Sequence, residues 1–358
     1  MERETLKGKA QTVLGLIDGS ELGITLPHEH FFTDDSSYFK EPTDPEEKRL
    51  SHQKITMENL WWARYHKMSS EDNLMLDDED MAIREAMYFK NAGGKTIVDM
   101  TPNNVGRDPA GLVNVAKATG LNIIMGTAYY IAQSWVPEMK MDSKTDEDIA
   151  QEFIQDIAVG VGDTGIKAGI IGEIGMSWPI EKGEEKVLRA AGIASKETGA
   201  GINIHPGGHP DAAFAYIKIL EEVGTDLNRV SFAHMTRTFP ISDRANRARV
   251  ADKGCYLEYD LFGADGIYPT QMAMGFDVAN DAIRLTEFME LIEDGFLDRI
   301  LMSQDNCFKV MLRAYGGNGY AHILELIVPK MRAKEMTEEQ INTILVENPK
   351  RINTFKGN

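Results

Sequence analysis

Short runs rich in apolar residues recur along the chain, separated by stretches with helical punctuation. The runs are GITLPHEHFF (23–32), KTIVDMT (95–101), NIIMGTAYY (122–130), AGIIGEIG (168–175), GINIHPG (201–207), VSFAHMT (230–236), CYLEYDLF (255–262) and RILMSQD (299–305). Most are nearly continuous in apolar residues, the pattern of parallel strands covered on both faces. Between them, Asp108 and Pro109 form an N-cap and first-turn pair ahead of GLVNVAKAT, and Gly120 stops that helix. Similar readings place helices at 78–92, 145–159, 184–198, 211–223, 242–253 and 280–294, with a closing helix near 320–332. Eight strands alternating with helices predict an α/β fold, a (β/α)8 TIM barrel, as a single domain over 1–358.

A barrel of this kind needs roughly 250 residues, so the chain has segments to spare. They fall at about 33–77, where ITMENLWWARYHKM predicts an amphipathic covering helix, and at about 263–279, which predicts a lid over the same face. The final stretch TEEQINTILVENPKRINTF predicts a terminal helix.

Composition narrows the partners. With a formal charge of −18 the chain lacks the basic surface that phosphate backbones require, so no nucleic-acid partner is expected. The start MERETLKGKAQTVLG has no apolar signal core, and no run of about 18 apolar residues occurs. No membrane partner and a cytosolic (cytoplasmic) location are therefore expected. Cys255 and Cys307 show no CxxC spacing, which argues against both a disulfide framework and a zinc-thiolate site.

The candidate chemistry lies at the strand ends. His28 and His30 stand two apart on the first strand, so both side chains point into the barrel lumen while Glu29 points away. An HxH pair alone does not separate metal ligands from structural histidines. His205, His234, Glu173 and Asp305 end other strands, and the C-terminal strand ends are where barrels of this kind carry their active groups. Either carboxylate alone could be met by a lysine or arginine in the barrel mouth. Six groups aimed at one mouth point instead to metal. Four imidazoles and two carboxylates suffice for two divalent ions with one bridging carboxylate, and nitrogen and oxygen donors suit zinc, manganese, cobalt or iron.

QTVLG, the strand ending in HEH, GRD at 106–108, single histidines ending strands five and six, and an aspartate ending strand eight together resemble the phosphotriesterase family of the amidohydrolase superfamily. Longer runs, GIIGEIGMSWP (169–179), GCYLEYDLFG (254–263), YGGNGYAHIL with VPKM (315–331) and ENPKRINTFK (347–356), are similar to its animal phosphotriesterase-related branch.

The resemblance implies that His28 and His30 hold one ion with Asp305, that His205 and His234 hold a second, and that Glu173 is shared. Many relatives place a carbamylated lysine where this chain has Glu173; Lys167 does not occupy that position. Met235-Thr236-Arg237 stands where relatives often have Leu-Asp-Arg, and Gln304 where a histidine is frequent. The expected activity is hydrolysis of N-acetyltaurine, a small N-acetyl amide, to taurine and acetate. Its cofactors would be two divalent ions, Zn2+ foremost with Mn2+, Co2+ or Fe2+ also compatible. Attack would come from a bridging hydroxide, with Asp305 as proton shuttle and Glu173 at the catalytic centre. Tyr130 matches a tyrosine lying over the metals in some relatives. Arg237, Lys309 and Arg107 are the candidate cations for the sulfonate, with Arg107 better suited to pairing with a carboxylate, and Glu258 and Tyr259 are candidate polar lining. A lactonase or phosphotriester hydrolase, or a non-catalytic metal-binding regulator, are the competing readings, and a homodimer is a further expectation.

Overall fold

The structure, a computed structural model, describes residues 3–264, 266 and 268–357. Its centre is an eight-stranded parallel sheet built from β1 (Thr25–Glu29), β2 (Thr96–Asp99), β3 (Asn122–Thr127), β4 (Ile170–Gly175), β5 (Ile202–His205), β6 (Val230–Phe232), β7 (Tyr256–Tyr259) and β8 (Ile300–Met302). Each strand pairs with its sequence neighbour, so the order runs β1 to β8 without a crossover. Apolar residues on both faces of each strand explain this arrangement. Ile97, Ile123, Ile171, Ile202, Leu257 and Ile300 pack outward against the helices, whereas Val98, Ile124, Ile170, Tyr256 and Leu301 belong to a separate inner cluster.

The seam between β8 and β1 carries little ladder pairing and is held mainly by side chains. The buried Glu29 carboxylate accepts from Ser303 Oγ (2.7 Å), Gln304 N (2.8 Å), Asn306 N (3.0 Å) and Asn306 Nδ2 (2.9 Å). Ser303 Oγ also accepts from His28 N at 3.2 Å. Glu29 thus points away from the lumen and spans the gap.

The outer helices are α1 (Glu79–Asn91), α2 (Pro109–Thr119), α3 (Asp146–Ala158), α4 (Lys182–Thr198), α5 (Ala212–Glu222), α6 (Arg244–Asp252) and α7 (Asp281–Glu293). Their limits follow from capping. Asp108 accepts from Ala110 N and Gly111 N, both at 3.0 Å, and Gly120 closes α2 in the left-handed region at φ 66°. The expected last two helices each contain a π turn, Ile323–Ile327 before Val328–Ala333 and Thr343–Glu347 before Asn348–Asn353. Pro329 and Pro349 account for both, because proline lacks the N–H of the α-helical bond and its ring crowds the carbonyl four residues back.

Two expectations change. The strands stop short of the apolar runs: β6 ends at Phe232 and β8 at Met302, so His234 and Asp305 lie beyond them. The covering helix shrinks to one turn, Leu60–Ala63. Asn59 Oδ1 accepts from Thr56 N at 2.8 Å and its amide donates to Lys54 O at 3.0 Å, a local fold that competes with helix on the N-terminal side. The apolar residues Leu60, Trp62 and Ala63 still cover the barrel mouth, packing on Phe308 and Val310 beyond β8. In the 263–279 segment, Pro269–Ala273 forms a single turn, and Asp265 and Ile267 lie outside the described residues. No helix among the described residues is long and apolar enough to cross a membrane.

Candidate metal centre

All six strand-end donors converge. Glu173, on β4, is the hub: its Oε1 is 3.6 Å from His30 Nε2, and its Oε2 is 3.0 Å from His205 Nδ1, 3.6 Å from His28 Nε2 and 3.6 Å from His234 Nε2. Asp305 Oδ1 is 3.1 Å from His30 Nε2 and 3.8 Å from His28 Nε2. His28, His30 and Asp305 form one donor cluster, and His28, Glu173 and His234 another.

The backbone turns that aim these groups are strained. His234 has φ 54° and Asp305 φ 51°, left-handed values that cost a non-glycine residue roughly 1 kcal/mol or more. In both cases the turn follows the end of a barrel strand.

Three of the four rings have a polar group behind them. His30 Nδ1 is 3.0 Å from Thr101 Oγ1, and His234 Nδ1 is 2.9 Å from Asp260 Oδ1. His28 Nδ1 lies 3.4 Å from Asp260 and 3.6 Å from Glu258. Thus His28, His30 and His234 present Nε2 to the centre, while His205 presents Nδ1. Carboxylates and hydroxyls behind liganding imidazoles are the usual means of fixing their tautomer and raising their basicity. Asp260 is the residue the sequence reading missed. Its signal was available, since Glu258 and Asp260 stand two apart on one run, the same spacing as His28 and His30.

The electrostatics of the cluster call for a cation. Burial opposes protonation of His28, yet Glu173, Glu258 and Asp260 hold its pKa well above the ordinary 6.5. Burial likewise works against the Glu173 anion, but His28, His205 and His234 keep it well below the usual carboxylate range. Burial and the neighbouring His234 depress His205 to about 4. At His234 burial is outweighed by Asp260, Glu173 and Asp305, which lift it to about 9.

The donors also fit metal binding. Both ring nitrogens of His28 are buried without a hydrogen-bond partner, an expensive state that coordination would relieve at Nε2. His205 Nδ1 and His234 Nε2 are 2.8 Å apart, so a proton or a metal must separate their lone pairs. The cluster could therefore hold metal ions.

A cavity of about 560 Å³ opens above it. Tyr130 forms part of the wall, its hydroxyl 3.2 Å from His205 Nδ1 and its ring edge-on to His205 at 4.9 Å. Arg237 is also in the wall, and among the described residues its guanidinium has no ion pair or hydrogen bond; Nε is buried and unpartnered. Lys40, Arg64 and Lys67 stand around the same cavity, so its lining is rich in cations although the whole chain carries −18.

Lys309, expected as a substrate contact, stands outside the lining of this cavity. Its ammonium is 2.8 Å from Asp72 and lines a smaller neighbouring cavity. Arg107 pairs with Asp156 at 3.1 Å and holds its loop. Glu258 and Tyr259 are buried, Glu258 bonding Asn203 and Tyr259 facing Phe288 at 4.9 Å. The 263–279 segment reaches the site through Gln271, which donates to Arg237 O at 3.0 Å.

Eight parallel strands with imidazoles and carboxylates gathered at their C-terminal ends define a (β/α)8 barrel with a candidate metal centre. The model of the phosphotriesterase family matches residues 8–353, and the chain belongs to that family. The N-acetyltaurine hydrolase of Homo sapiens is 40% identical over 354 residues, covering 98% of this chain and 99% of its own. Among solved structures, a resiniferatoxin-binding protein from Rhodobacter sphaeroides superposes with a TM-score of 0.92 at 34% identity, covering 99% of this chain and 98% of its own. The lactonase Lmo2620 from Listeria monocytogenes gives a TM-score of 0.78 at 25% identity, with 97% and 99% covered.

Proposed function

We propose that the protein is a metal-dependent amidohydrolase that cleaves N-acetyltaurine to taurine and acetate. The observation that carries this reading is the Arg237 guanidinium, unpaired among the described residues, in the wall of a cavity floored by the histidine and carboxylate cluster. A half-buried guanidinium facing a cavity offers its N–H groups to an anion, and the sulfonate of a small substrate would supply the missing charge. The relatives named N-acetyltaurine hydrolase, matched over nearly their full length, support the same substrate.

In this assignment His28, His30 and Asp305 hold one divalent ion, His205 and His234 a second, and Glu173 is shared, with Zn2+ the expected ion. Ions bound there would supply an activated water near neutral pH and polarise the acetyl carbonyl. Asp305 accepts the proton of the attacking water as the new C–O bond forms. Tyr130, beside His205, donates its hydroxyl to the substrate carbonyl. Arg237 holds the sulfonate, and so places the acetyl end over the cluster. Lys309, neutralised by Asp72, takes no part.

A second reading, hydrolysis of a lactone or phosphotriester with the same donors, draws support from the cavity of about 560 Å³, which has room beyond a small acetyl amide. A neutral lactone or triester would leave Arg237 without a partner, and this favours the anionic amide. The test is acetate release from N-acetyltaurine by the metal-loaded protein, with Glu173→Ala as the blank and a lactone and phosphotriester panel alongside. Release that disappears in the variant supports the amidohydrolase. Turnover of the panel without acetate release would overturn the substrate assignment.

A further inference from the structure

Charge is distributed unevenly around the cavity. The chain carries −18, yet Lys40, Arg64 and Lys67 stand around the cavity, and among the described residues none of them makes an ion pair. The nearest ring to the Lys67 ammonium is that of Tyr268, at 5.9 Å, and Arg64 donates to Gly316 O, a neutral acceptor. The loops that carry the two lysines are joined. Lys40 N donates to Met68 O at 2.8 Å, and Asn73 Nδ2 donates to Lys67 O at 3.1 Å, so the lysine backbones are held close together. Acids of the same 33–77 segment are engaged elsewhere: Glu41 with Lys48 and His52, Glu71 with His52, Glu47 with His66 and Asp72 with Lys309. Within the lining, Glu173 and Asp305 face the histidines, which leaves Asp35 as the other carboxylate against these cations and Arg237.

An exposed charge in salt acts over a Debye length of about 10 Å. A domain of this length has a radius of gyration of roughly 20 Å, so most of the chain's acids are screened from the mouth while the rim cations are not. A cleft lined by one sign of charge concentrates solutes of the other sign. We propose that Lys40, Arg64 and Lys67 form a cationic entrance that draws small anionic substrates into the cavity and sets its preference for anions over neutral molecules; for the substrate this rests on the amidohydrolase reading above. The entrance is separate from Arg237, which meets the sulfonate in the wall. The rim raises the local concentration of the anion before that contact forms.

The sign of the salt effect separates the two fields that act on an approaching anion. Were the net charge of −18 to govern the approach, the anion would be repelled, and added salt would screen the repulsion and raise kcat/KM. Where the rim governs it, salt screens an attraction and lowers kcat/KM. A neutral substrate feels neither field. Neutralising the lysines removes charge at little cost in packing, because their ammonium groups make no hydrogen bond among the described residues and Lys40 is exposed.

The test follows kcat/KM of the metal-loaded protein on N-acetyltaurine and on a neutral lactone as ionic strength rises from about 0.01 M to about 1 M. It compares the wild type with Lys40→Gln/Lys67→Gln and with Lys40→Arg/Lys67→Arg. The wild type is expected to lose about 3–10-fold on the anion over this range. The glutamine variant should start lower, through a raised KM, and fall less steeply, while the arginine variant follows the wild type. The lactone should show no such dependence. A rate on the anion that rises with salt, a glutamine variant with the wild-type slope, or an equal fall on the lactone would each overturn the proposal. Calorimetric binding of propane-1-sulfonate over the same salt range reads the entrance without turnover, and the same weakening with salt and with the glutamine substitutions is expected. If the wild type binds the sulfonate in this way but releases no acetate, the amide reading fails by itself. Acetate release together with salt-independent rates and sulfonate binding would end the entrance alone.

Discussion

Asp260 is bonded both to the backbone N–H of His234, at 3.0 Å, and to its Nδ1, at 2.9 Å. It thereby fixes which ring nitrogen faces Glu173. Asp260→Asn should leave the fold intact and weaken metal affinity by roughly 10–100-fold, the usual consequence of losing a carboxylate behind a liganding histidine. Competition with a chromogenic chelator measures this, and unchanged affinity would mean that the Asp260 contact does not tune the centre. Arg237 separates binding from chemistry. Hydrogen bonds to charged groups contribute about 1.5–3 kcal/mol, so Arg237→Met should raise KM for N-acetyltaurine by about 10–100-fold with a smaller effect on kcat. Kinetics on a neutral lactone provide the control, because no comparable rise is expected there. An equal rise on both substrates would remove Arg237 as the sulfonate site.

At the scale of elements, the β8–β1 seam is the place where the barrel depends on one side chain. Glu29 collects five donors from residues 303–306, and these bonds take the place of most of a ladder between the two strands. Glu29→Gln keeps the volume but replaces a carboxylate oxygen with an amide that cannot accept from the donors it faces. A loss of roughly 2–4 kcal/mol is expected, read as a lower urea midpoint. A midpoint equal to wild type would mean that packing alone holds the seam. The identity of Glu29 was visible in HEH, and its outward direction followed from strand alternation. What it bonds was not visible, because Ser303 lies 274 positions away in sequence.

Taken as a whole, the molecule buries four histidines and the carboxylates of Glu173, Asp305, Glu258 and Asp260 in one mouth. Such a concentration of donors is favourable only with cations among them. Chelation should therefore lower the melting temperature and added Zn2+ should restore it. Binding at about a hundred times the dissociation constant contributes roughly 2.7 kcal/mol per ion, corresponding to a shift of several degrees. Differential scanning calorimetry of chelated and reloaded protein measures the change, and superimposable traces would argue against a metal centre.

The order and number of the strands, the helix caps and the six side chains that meet at the barrel mouth were legible in the sequence, although His234 and Asp305 lie just beyond their strands. These are consequences of local chemistry: apolar runs form covered strands, Asp and Gly limit helices, and a period of two sets which residues face the lumen. Pairings between distant segments belonged to the tertiary structure. Lys309 looked available one turn beyond Asp305, but Asp72, 237 positions away, neutralises it. Arg237 looked no different in the sequence, yet in the cavity wall it has no partner among the described residues. Asp260 acquires its role from what surrounds it, His28 and His234. Local pattern determines where a side chain starts and which way it points; only the closed barrel decides which charges meet, because those contacts join residues hundreds of positions apart.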